Sequence, residues 1–241
     1  MDKEIAGKAV PQHERAGRAL AVGLLLVAAL CVATVYSDLV LQGSWIAHNA
    51  LPIGALTLFL LLVTTGNRLV GRFRPAWALS RAETLLIYAM LLVASGIPSV
   101  GFTLPALSVA VAPAYYHVAE DAVNSNTASW LRVEDPDAIR EYFDGLDPGA
   151  ALPWHAWAAP LIAWSLFAVL LYTAFLCVSL LLRRAWVEEE RLSFPLVQVP
   201  LEIAGRSARP TGNPAFFRQP VAWLGIAVPA VLHTLNAVHT Y

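Results

Sequence analysis

Charge is scarce in this sequence: Asp, Glu, Lys and Arg make up 14% of 241 residues, whereas hydrophobic types make up 58%. A soluble domain carries about 25% charge, so water is excluded as the main solvent of the fold, and a mean hydropathy of +0.59 points the same way. Cysteine is scarcer still. Cys31 and Cys177 both lie inside apolar runs, where a thiol packs against helix or lipid, and a disulfide framework is excluded. A His-Glu metal spacing, a phosphate-binding glycine loop and a serine elbow are all missing. Their absence removes direct ATP hydrolysis from the options, implies no cofactor or metal, and sets the expectation that the chain is not an enzyme. A net charge of −1 leaves no basic footprint for nucleic acid.

The few charges fall in clusters between long uncharged runs, which marks a membrane protein. The expected fold is all-α: a polytopic transmembrane helical bundle of about five spans, with the lipid bilayer as its main partner. Residues 1–18 form a tail, and Ala19–Ser37 is the first span, 19 uncharged residues giving about 28 Å of helix against a hydrocarbon core of about 30 Å. A basic leader precedes it, so a cleaved signal peptide is the rival reading. The long apolar run, the 18-residue leader, the lack of an Ala-x-Ala site and the spans that follow favour an uncleaved anchor.

Gly43, Asn49, Pro52 and Gly54 mark a connection, with Trp45 at the interface, before a second span near Leu51–Thr65. Ser80-Arg81-Ala82-Glu83 is a capping box, in which hydroxyl and carboxylate satisfy the free amides of an opening helical turn. From Thr84 to Tyr116 no residue is charged over 33 positions, yet Gly96, Pro98, Gly101, Pro105 and Pro113 interrupt the run. Residues 19–116 thus hold spans one to three, with an interrupted segment near 96–113 that is either a kinked helix or a helix broken at depth.

Residues 117–153 carry eight acids and two arginines, and Asp135–Phe143 reads as a short amphipathic helix with Pro136 in its first turn and Gly145 as its stop. Trp154, Trp157 and Trp164 introduce a fourth span, which with its approach covers 154–182. Residues 183–219 are polar and punctuated by Pro195, Pro200, Pro210, Gly212 and Pro214, and 220–241 forms a fifth apolar run. No charge follows that run, so the chain reads as the amino-terminal part of a larger transporter-like fold. The stretches 1–18, 66–83 and 183–219 hold 4, 4 and 6 of the 16 Lys and Arg residues. The positive-inside rule makes them cytoplasmic and the acidic segment external.

Prolines and small residues free backbone groups at membrane depth, where a solute or ion can use them. Ser95, Gly96, Ser99, Gly101 and Thr103 are therefore the candidate substrate-binding groups of the interrupted run. The competing reading is close helix packing through small residues. On the last run His233 and Asn236 share a face with Thr240 at helical spacing, a polar stripe that serves either solute handling or bonding between helices. Asp38 reads as an interfacial, solvated acid and Glu83 as a capping one. His117, Asp121 and His155 are the external groups that an enzyme acting on lipid-linked substrates would need.

Trp186-Val-Glu-Glu-Glu-Arg-Leu-Ser-Phe-Pro-Leu-Val-Gln-Val-Pro-Leu-Glu202 resembles an uncharacterised bacterial family of large multi-pass membrane proteins that look distantly related to oligopeptide transporters. Leu79–Ile97, Trp130–Phe143 and Leu152-Pro-Trp154 fit the same family. Arg191-Leu-Ser-Phe-Pro195 is similar to the segment that precedes a span in those transporters, although the small hydroxyl residues that follow it there are Leu196-Val-Gln-Val199 here. The resemblance implies a secondary transporter of a small polar solute, a peptide or metal chelate, in a bacterial inner membrane. A membrane-embedded enzyme and a non-transporting scaffold are the alternatives.

Overall fold

The structure is a computed structural model that describes residues 12–42, 45–116, 127–205 and 219–240. Helix α1 is Gln12–Val35, α2 Ile53–Leu61, α3 Asn67–Phe73 and α4 Arg81–Ala94. Then come α5 Thr103–Tyr115, α6 Pro136–Asp144, α7 Trp154–Arg184, α8 Pro195–Ala204 and α9 Pro220–Thr240. Among the described residues there is no strand. Among the described residues, three helical stretches are long and apolar enough to cross a bilayer: Ala16–Val40, Ile53–Phe73 and Trp154–Glu189, of 25, 21 and 36 residues. Thr103–Tyr115, Pro195–Ala204 and Pro220–Leu232 are shorter apolar helices. The chain is an all-α protein of the membrane type.

Two compact units divide it, Met1–Pro98 with Phe194–Tyr241, and Ser99–Ser193. In the first, α1 lies along α4. On α1 the buried residues Ala19, Leu30 and Thr34, with Val22, Leu26 and Val27 beside them, follow helical spacing and form one stripe. On α4 the stripe is Glu83, Thr84, Ile87, Tyr88, Leu91 and Ala94. Gly23 lets the two helices close, since a Cβ there would lie 2.5 Å from Met90 Sδ. From α2, Ala55 and Phe59 enter the same core, Phe59 meeting Tyr88 with ring centroids 4.9 Å apart.

Below α4 the chain is held by polar contacts. The capping box forms as the sequence predicts: Ser80 N donates to Glu83 Oε2 at 2.7 Å, and Glu83 N to Ser80 Oγ at 3.3 Å. Arg18 donates to the other carboxylate oxygen, Oε1, through Nη2 at 2.7 Å and Nε at 3.2 Å. Its Nη1 and Nη2 also reach the carbonyls of Ala76 and Ala78, each at 3.3 Å. Asn67 clamps Leu79 from both sides, accepting from its N–H at 2.6 Å and donating to its carbonyl at 3.0 Å.

Two expected boundaries shift. The second span does not stop at Thr65 but runs through a π turn at Leu62–Gly66 into α3, because nothing forbids helix before Pro75 and Arg68 and Arg72 are good helix formers. The punctuated stretch 183–219 contains α8, where Pro195 occupies the first helical turn, a place that needs no N–H. Ile203 of α8, 2% exposed, joins the core around α4.

In the second unit, Asp135 caps α6 by accepting from Asp137 N at 2.9 Å and Ala138 N at 3.2 Å. Gly145 ends the helix at φ 95°, which a side-chain-bearing residue adopts only with strain. Val111 of α5, Val133, Ala138 and Ile139 make a small core, extended by Tyr115 stacked on Phe143 at 4.0 Å. Val133 N donates to Ala110 O at 3.1 Å, and Trp164 Nε1 to Leu131 O at 3.1 Å. The described part of the acidic segment, 127–153, is thereby fastened to α5 and α7. Beyond the residues tied to this segment α7 is bare: Leu166, Leu170 and Leu181 are exposed, as is the free thiol of Cys177.

Candidate functional site

The choice between a kinked and a broken helix is decided at Ser95–Phe102, where the backbone leaves the helix altogether. Pro98 disfavours helical geometry at Ile97, and Gly96 has weak helix propensity. Ser95 ends α4, its N–H bonded to Leu91 O at 3.0 Å and its Oγ to Leu92 O at 2.7 Å. Its hydroxyl is thus engaged by its own helix. Helix propensity resumes at α5, where Pro105 falls in the first turn and costs no hydrogen bond.

Ser99 departs from ordinary structure in both backbone and side chain. Its φ is +52°, in the left-handed region that favours glycine. Its carbonyl accepts from Leu104 N at 2.8 Å and so ties the turn to α5. The side chain is 3% exposed, and Oγ is buried without a hydrogen-bond partner. An unsatisfied buried hydroxyl costs about 1–3 kcal/mol. Of the other expected groups, Gly96 and Gly101 are exposed and Thr103 is half-buried at the start of α5. Ser95 and Gly96 belong to the first unit, and Ser99, Gly101 and Thr103 to the second.

His233 and Asn236 lie on α9, and their side chains fall outside the described residues. The same holds for all of His117 and Asp121. His155 is exposed at the start of α7, with Nε2 3.2 Å from Asp135 Oδ2. Since Asp135 is the cap of α6, the pair is accounted for by structure. The backbone N–H of Ala138 foremost, then His155 and the N–H of Asp137, hold its carboxyl below the usual Asp range. Arg184 lies 3.9 Å from Glu188 and 3.7 Å from Glu189, all exposed, as a solvated helix face should be. No cluster of metal-ligating side chains occurs among the described residues.

Asp38 differs from its sequence reading. Instead of a freely solvated acid it is half-buried, in the π turn Tyr36–Val40 that prolongs α1, and its Oδ1 is buried without a hydrogen-bond partner. Hydropathy did not single it out because one acid at the edge of an apolar run looks the same whether it faces water or protein.

Residues 9–241 match a family of unknown function, DUF6785. No curated protein and no solved structure matches the chain.

Proposed function

The chain belongs to DUF6785, and we propose that it takes part in secondary transport of a small polar solute such as a peptide or metal chelate. The observation that carries the proposal is the break at Ser95–Phe102 in a 33-residue uncharged run, with Ser99 Oγ buried and unpartnered within it. Irregular backbone at membrane depth persists where it lines a cavity or is buried in protein, and broken helices of this kind form solute sites in transporters. Ser99 would donate to the solute, and the non-helical backbone at Val100 and Gly101 would supply further groups. Ser95 serves the end of α4 first.

The topology that goes with this reading has five spans and a cytoplasmic amino terminus in a bacterial inner membrane. The acidic segment 117–153 faces outward, and 14 of 16 Lys and Arg lie in the three stretches assigned to the inside. The choice of a peptide-like solute rests on reading Arg191–Pro195 as resembling the segment that precedes a span in oligopeptide transporters. No enzymatic step is assigned.

The test is uptake by proteoliposomes holding the full protein, with labelled trialanine and an iron(III) hydroxamate chelate as probes under an imposed proton or sodium gradient. Gradient-driven uptake of either probe, abolished by Gly96→Leu and by Ser99→Ala in protein that elutes as a monodisperse peak, is the expected result. Uptake that both variants leave undiminished overturns the assignment of the break. Uptake no greater than that of empty liposomes for both probes overturns the solute class.

A further inference from the structure

The second unit holds a cleft of about 310 Å³ that the transport proposal does not use. Leu107 of α5, Glu141 and Tyr142 of α6, Leu152 of the connecting turn, and Trp154 and Trp157 of α7 line it. The volume falls at the lower end of small-molecule sites, roughly 300–1,000 Å³. Its lining is hydrocarbon and indole almost throughout, and the tyrosine does not add a free polar tip, because Tyr142 OH is 3.2 Å from Ser108 Oγ. A small polar solute would lose its hydration here and gain nothing in return.

Three observations converge on what would fill it. The wall made by Trp154 and Trp157 is the first turn of α7, so the cleft is continuous with the apolar surface of a membrane-crossing helix. Trp154 and Leu152 are 65% and 56% exposed, and tryptophans at the start of a spanning helix mark the membrane–water boundary. Lastly, the one charged side chain in the lining is a carboxylate, Glu141, in a segment where acids outnumber arginines eight to two. A chain of apolar groups with a positive end is the ligand that meets all three.

We propose that this cleft seats the acyl chain of a bilayer phospholipid whose amine-bearing head group pairs with Glu141. Taking roughly 30 Å³ per water-sized group, about ten methylenes fill the volume. Trp154 and Trp157 flank the chain where it leaves the bilayer, and Glu141 selects the head group. This site is separate from Ser99 and stands or falls without it.

The full protein in nanodiscs is photolabelled with two phospholipid analogues that share a diazirine-bearing tail, one headed by phosphoethanolamine and one by phosphate alone, and the labelled peptides are mapped. Expected is labelling of the Leu152–Trp157 peptide about threefold greater with the amine head, the scale of one exposed ion pair. Glu141→Gln should bring that ratio to one. Leu107→Trp, which fills the cleft, should reduce labelling at Leu152–Trp157 while leaving the bare Phe175–Leu181 surface labelled as before, which also shows that the variant is inserted. Equal labelling of Leu152–Trp157 by both analogues overturns the head-group assignment. Labelling there that Leu107→Trp leaves unchanged overturns the cleft as the site.

Discussion

Arg18 and Glu83, 65 residues apart, are joined by a 2.7 Å ion pair in which the carboxylate is nearly buried and also closes a helix cap. One oxygen of Glu83 serves Arg18 and the other the N–H of Ser80, so a single side chain fixes both the start of α4 and its position against α1. Removing Arg18 leaves Glu83 buried with only its cap contacts. Arg18→Met is expected to cost about 2 kcal/mol and Glu83→Ala about 3 kcal/mol, because the latter loses cap and pair together. Glu83→Gln, which retains an oxygen for Ser80, should cost less than Glu83→Ala. A double-mutant cycle between Arg18→Met and Glu83→Gln, read by chemical denaturation in detergent, should show coupling of about 1 kcal/mol or more.

Gly23 faces Met90 closely enough that any Cβ must displace the thioether. Methionine is flexible, so Gly23→Ala is expected to cost only about 1 kcal/mol, whereas Gly23→Val should cost about 3 kcal/mol by forcing α1 from α4. Met90→Ala should recover most of the Gly23→Val loss. Thermal unfolding followed by circular dichroism checks all three.

On the proposed transport role, Ser99 substitutions should have opposite signs for stability and for uptake. Since its hydroxyl is buried without a partner and its φ is +52°, Ser99→Ala should leave stability unchanged or raise it slightly, and Ser99→Gly should raise it by about 1 kcal/mol. Both should lose uptake. Destabilisation of about 1 kcal/mol or more by Ser99→Ala would instead mean that the hydroxyl supports the fold.

Asp135 gives the second unit a defined acid limit. Its carboxyl titrates below the ordinary Asp value of about 3.9 because the folded cap stabilises the charged form. The cap's contribution is therefore fully present above that value and is lost as pH falls through the lower, folded one. Hydrogen exchange of the Asp137 and Ala138 amides should be flat from neutral pH down toward the ordinary Asp value, after correction for intrinsic rates, and protection should fall only below it. Asp135→Asn should keep the cap and abolish that acid step, while Asp135→Ala should expose both amides at every pH.

Much of this was legible in the chain. The capping box at Ser80 and Glu83 and the Pro136–Gly145 bounds of α6 follow from local rules that depend on a few adjacent residues. The three long apolar helices follow from hydropathy, which adds up over many residues. Where the sequence left two readings, at Ser95–Phe102, the deciding matter was whether proline and glycine coincide closely enough to stop propagation, and periodicity does not report that. The helix at Pro195–Ala204 was hidden because proline reads as a breaker unless its place in the first turn is known. The partner of Glu83 was out of reach for a different reason: only the packing of α1 on α4 brings Arg18 to it. The apolar cleft likewise assembles from α5, α6 and α7, and no single stretch announces it.

The length of α7 has a consequence for the membrane itself. From Trp154 to Leu182 it offers 29 residues without a formal charge at neutral pH, about 43 Å at 1.5 Å per residue, against a hydrocarbon thickness of about 30 Å. With all of it in lipid, an upright α7 would push oily side chains into the head groups, and the helix would have to lean or draw a thicker collar of lipid around itself. Either response ties its free energy to acyl-chain length. Bilayer thickness would thereby become a variable this protein feels, with thin membranes the ones that strain it.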